Sequence, residues 1–90
     1  MARKKVRSVW NALYPEDRAA EMEMRSILLQ GLGDWLGDSG LTQTEAAKVL
    51  GVTQARVSDL KRGKISSFSL DLLVRIAARA GLNPKLKLVV

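Results

Sequence analysis

The 90-residue chain has no cysteine and no histidine. Metal sites built on those ligands are excluded, and so are the usual Ser–His and Cys–His nucleophile–base pairs. The serines have no candidate base. The nine carboxylates are mostly interleaved with bases or stand near helix starts. An enzyme is therefore not expected, and neither is a cofactor. Without cysteine no disulfide can staple the fold, which suits a reducing cytoplasm. No apolar run approaches the length of a membrane span. The N-terminal "MARKKVR" is basic, but no apolar stretch follows it as in a secretory signal. Internal repeats and low-complexity segments are also missing.

What is present is a composition ordinary for one small domain, 47% hydrophobic and 27% charged, with a clear basic excess. Fifteen Lys and Arg oppose nine Asp and Glu, a net charge of +6 and a pI near 10.2. That balance favours an anionic partner such as nucleic acid, with solubility alone as the plainer reading.

Residues 1–14 mix bases (Arg3, Lys4, Lys5, Arg7) with apolar side chains without a clear period, and read as an extended or poorly ordered arm. Pro15-Glu16-Asp17 resembles a helix start, since proline is tolerated in the first turn and acids suit the positive dipole end. Met24, Ile27, Leu28, Leu32, Trp35 and Leu36 then recur at helical spacing. Gly31 and Gly33 weaken that helix by about 1 kcal/mol each relative to alanine, so close packing or a break is expected there. "GDSG" at 37–40 ends it.

The stretch "LTQTEAAKVLGVTQARVSDLKRGK", residues 41–64, is the most informative. Thr42 and Glu45 form a capping box, opening a helix that buries Ala46, Ala47 and Leu50. Gly51 stands where a left-handed residue is needed, and Thr53 caps the next helix at once. Two helices joined so tightly must cross steeply. Counted from Gln43, the fifth residue (Ala47) is small, the ninth (Gly51) turns the chain, and Val52, Val57 and Leu60 anchor the second helix. Thr53, Gln54, Ala55, Arg56, Ser58, Asp59, Lys61 and Arg62 remain for its other sides. This is the helix-turn-helix arrangement, which presents its second helix to the DNA major groove. Two core helices with a solvated outer face are the alternative. Farther on, "RGKISSF" reads as a loop, and Ser69 caps a helix burying Leu72, Leu73, Ile76, Ala77 and Ala80 until Gly81 stops it. The tail "KLKLVV" alternates like a strand.

The same stretch resembles the lambda-repressor-like helix-turn-helix domains of the Xre type, from about Arg25 to Gly81. With the flanks "SVWNAL" and "FSLDLLVRIAARAGL", the chain is similar to the narrower group of HigA-like antitoxins of type II toxin–antitoxin pairs. The resemblance implies a phosphate-binding, bracing role for Gln43 and base reading by Gln54 and Ala55. A glutamine can bond adenine N6 and N7, and a methyl group can touch thymine. Arg56 would reach a guanine or a phosphate. Arg62 and Lys64 would hold the backbone after the helix end. Asp59 is a departure: it either accepts from cytosine N4 or pairs with Arg62 or Lys61.

The expected fold is all-α, a lambda-repressor-like helix-turn-helix bundle with a short C-terminal strand used in dimerisation. Residues 1–14 are the arm, 15–81 the DNA-binding domain and 82–90 the strand. Two tails would pair across a two-fold axis with Leu86, Leu88 and Val90 inward, the alternative being a frayed tail. The arm's Trp10, Leu13 and Tyr14 either grip a partner or strap the arm to its own domain. Under the resemblance that partner is a small basic ribonuclease toxin of the RelE/HigB-like class. The function expected is a cytoplasmic, nucleoid-associated homodimeric repressor on a palindromic double-stranded operator, most simply an antitoxin repressing its own operon. A stand-alone or phage-type regulator and a basic protein-binding adaptor are the other readings.

Overall fold

The computed structural model of the protein describes residues 9–90. Helices α1 (Val9–Leu13) and α2 (Glu16–Ser39) lead into α3 (Gln43–Leu50) and α4 (Gln54–Lys61); a 3₁₀ turn (Ile65–Ser67) and α5 (Leu70–Arg79) follow. No helix among the described residues is long and apolar enough to cross a membrane.

Helix α2 is the spine, packing against α1, α4 and α5, while α3 and α4 pack against each other. The main core joins Leu29 and Leu32 of α2, Leu50 of α3, Leu60 of α4, Phe68, and Leu73, Ile76 and Ala77 of α5. A smaller cluster of Ala46, Ala47 and Val57 sits where α3 crosses α4. The small side chains at 46 and 47 are what let the two backbones approach there.

Local chemistry sets the helix boundaries. The Thr42 hydroxyl accepts from the Glu45 backbone N–H at 3.1 Å, and the Glu45 carboxylate accepts from the Thr42 N–H at 2.9 Å. That bond, first of all, holds the Glu45 carboxyl below its ordinary value, so the box adds stability above the unfolded value and loses it as pH falls through the folded one. Gly51 ends α3 at φ 67°, with the Val52 N–H returning to the Ala47 carbonyl at 3.0 Å. A Cβ at Gly51 would lie 3.1 Å from Arg79 Nη1, the atom that donates to the Leu50 carbonyl at 2.9 Å. Gly51→Ala is therefore expected to lower stability in urea denaturation by about 1–2 kcal/mol from the left-handed φ alone.

Four expectations need correction. Residues 9–13 of the arm are not extended but form α1; residues 1–8 lie outside the described residues. Helix α2 runs unbroken through Gly31 and Gly33, and a Cβ at either would meet nothing within 4 Å, so neither a break nor close packing occurs. Its buried face is also turned from the expected stripe: Leu29 is buried and Ile27 is 66% exposed. Finally, no strand exists among the described residues. The segment 82–90 has no regular structure, and Leu86, Leu88 and Val90 lie in solvent. A strand needs a ladder, and this all-helical chain offers no edge to pair with.

Candidate nucleic-acid interface

Val57 and Leu60 bury one side of α4, so the opposite side faces out. At helical spacing it carries Gln54, Ala55, Ser58 and Lys61, followed by Arg62 at the C-cap. Gln54, Ala55, Lys61 and Arg62 are exposed and Ser58 is half-buried. The Thr53 hydroxyl caps the helix by accepting from the Arg56 N–H at 3.1 Å. With its hydroxyl spent on that bond, Thr53 fixes the start of the helix. Gln43 is exposed at the start of α3, and Lys64 is exposed in the loop after α4. The face thus grades from uncharged-polar at the helix start to basic at its end, the order expected of base reading followed by phosphate contact.

Two side chains of α4 turn elsewhere. The Arg56 guanidinium donates to the Ser67 carbonyl and lies 5.7 Å from the centroid of the buried Phe68 ring. Asp59 takes the Arg62 partner rather than Lys61: Arg62 Nη2 stands 2.6 Å from its carboxylate. That bond, and next one from the Ser67 side chain, hold the Asp59 carboxyl below its ordinary value. A DNA face with an ionised acid is thereby reconciled, because the acid is engaged by protein donors.

Sequence reasoning passed over Phe68, Ser67 and Arg79. Phe68 is 2% exposed, and as the chain's one phenylalanine it was the signal that "RGKISSF" could not be a plain solvated loop. The contacts of Ser67 and Arg79 had no signal in spacing.

Charge is segregated across the molecule. Helix α2 carries six acids and two bases, a net −4; the remainder carries thirteen bases and three acids, a net +10. A polyanion is therefore steered to the α3–α4 side and repelled from α2. Trp10 is half-buried with its ring 6.2 Å from that of Tyr14, while Leu13 is 65% exposed. No group of three or more acids able to hold a metal occurs among the described residues. Two open hollows, of about 570 and 440 Å³, are shallow depressions beside α2.

A tight helix–glycine–helix crossing with a polar-to-basic outer face defines the helix-turn-helix class of DNA-binding domains. The family model of the helix-turn-helix domain matches residues 14–88, and the chain belongs to that family. Among curated proteins, none matches it.

Proposed function

We propose that the protein is a sequence-specific transcriptional repressor acting as a homodimer on a palindromic operator in the cytoplasm. We further propose that it is the antitoxin of a type II pair, neutralising a small ribonuclease of the RelE/HigB-like class and repressing its own operon. The observation that carries DNA reading is the outward face of α4, where Gln54 and Ala55 stand exposed on a helix start fixed by Thr53. One short helix reads only a few base pairs, so two copies are needed, with half-sites about one helical turn apart. The apolar tail (Leu86, Leu88, Val90) supports a second copy as its cover.

The toxin half of the proposal is supported by α2. Glu16, Ala20, Glu23 and Ile27 are exposed and fall on one helical face, close in sequence to exposed Leu13 and Tyr14. An enzyme that binds RNA is basic where it holds its substrate, so an acidic face with apolar anchors complements it.

Gln54→Ala is expected to cost about 1–3 kcal/mol on the operator and little on random DNA. Competition titrations with both duplexes measure this, and equal losses would remove Gln54 from base reading. For the partner, the chain is co-expressed with its neighbouring reading frames and examined by native mass spectrometry. A stoichiometric small basic protein, toxic when expressed alone, is the expected result. A bare dimer would favour the stand-alone regulator and assign Trp10, Leu13 and Tyr14 to the protein's own packing.

A further inference from the structure

The helix that reads DNA and the loop that follows it are separate pieces of backbone, yet both must reach one duplex together. Lys61, Arg62 and Lys64 are exposed around this junction. Backbone bonds close the turn: the Gly63 N–H returns to the Leu60 carbonyl at 3.1 Å with φ 68° at Gly63, and the Lys64 N–H returns to the Asp59 carbonyl at 2.9 Å. Beyond Lys64 the chain enters the 3₁₀ turn, where the Ser67 N–H donates to the Lys64 carbonyl and the Phe68 N–H to the Ile65 carbonyl, both at 3.1 Å.

Two α4 side chains one helical turn apart converge on that 3₁₀ turn. Arg56 donates to the Ser67 carbonyl and stacks on Phe68, whose ring is anchored in the core. The Asp59 side chain, 18% exposed, holds Arg62 at 2.6 Å and is hydrogen-bonded to the Ser67 side chain. To reach a phosphate, Arg56 would have to leave both its carbonyl and its ring. Arg62 pays no such toll: its side chain is 65% exposed, and one of five donors is given to Asp59. The geometry points to Arg56 and Asp59 as positioning residues that grip Ser67, lock the Lys61–Lys64 loop in register with the reading face of α4, and make no DNA contact themselves. This rests on the DNA-binding reading above and assigns to the acid on the DNA face the task of aiming Arg62.

The two positioning roles are tested with R56K and D59N in the full chain, on the best-bound duplex selected from a random pool. A phosphate contact tolerates lysine as a point charge, whereas a stacked, carbonyl-bound guanidinium does not. R56K is therefore expected to lose about tenfold in affinity, the scale of one charge-assisted hydrogen bond. D59N removes a negative charge from a protein facing a polyanion, and electrostatics alone would tighten binding. Positioning predicts a loss of about tenfold here too. In the DNA-free proteins, the Lys64, Ser67 and Phe68 amides are expected to exchange hydrogen faster in both variants, with the exchange of the α5 amides unchanged. Wild-type affinity in R56K, or tighter binding by D59N, would overturn the proposal. Should the wild type fail to prefer any duplex, the DNA reading falls by itself. Exchange then judges the grip: faster rates at Lys64 and Phe68 uphold it, and unchanged rates overturn it.

Discussion

Raising salt from 50 to 200 mM is expected to weaken operator binding by about 10³–10⁵-fold, the loss for some 6–10 phosphate contacts. Each copy offers Lys61, Arg62 and Lys64 beside α4, with Gln43 at the head of α3, so two copies on one operator reach that number. The α2 surface, at net −4, adds no phosphate contacts, and the salt response should come from the α3–α4 side alone. Fluorescence anisotropy titrations across that salt range measure the slope. Lys64→Ala should make it shallower by about one unit, with a near-uniform loss on all sequences. A flat response would identify a protein-binding adaptor whose basic charge serves solubility.

The second large effect lies in the core. Phe68→Ala is expected to destabilise the fold by about 3–5 kcal/mol, the range for truncating a buried phenylalanine. Small domains hold about 5–15 kcal/mol in all, so much of the stability is at stake. Phe68 is 2% exposed and joins Leu29, Leu50, Leu60 and Ile76 in one cluster. It is also the surface on which Arg56 lies, so its removal should loosen the loop after α4 as well as the core. Urea denaturation measures the loss. A cost below about 1 kcal/mol would mean the site collapses to fill the void, leaving Phe68 without its central packing role.

How legible these features were in the sequence depended on the range of the interaction. Thr42 with Glu45, Thr53 with Arg56, Ser69 with Leu72 and the left-handed Gly51 are contacts within a few residues, and all are found as spacing implies. The helix-turn-helix core followed for the same reason: Ala47, Val57 and Leu60 are placed by helical period and one fixed turn. In α2 the period argument faltered because Ile27, Leu28 and Leu29 are consecutive and apolar, so any of three could define the face. Tertiary packing chose Leu29. The same packing, with Leu29 and Leu32 buried on either side of Gly31, carries the helix through two weak glycines. The tail failed as a strand because alternation states which face each residue would take and says nothing about whether an edge exists to pair with.

The candidate site shows the same division. Gln54, Ala55, Lys61, Arg62 and Lys64 were placed on the exposed side by elimination of the buried residues, which is a local argument. The partners of Arg56 and Arg79 lie 11 and 29 residues away in sequence, beyond any periodicity. Asp59 was ambiguous between two neighbours at helical reach, and geometry resolved it in favour of Arg62, three residues on, where the chain has left the helix.

The most direct test of the central claim, sequence reading by α4, is selection of duplexes from a random pool by the full chain at physiological salt. The account predicts enrichment of a two-fold symmetric site with half-sites about one helical turn apart. In a parallel selection with Gln54→Ala, that preference should relax at a single position in each half-site. A pool that emerges without any enriched sequence would contradict it.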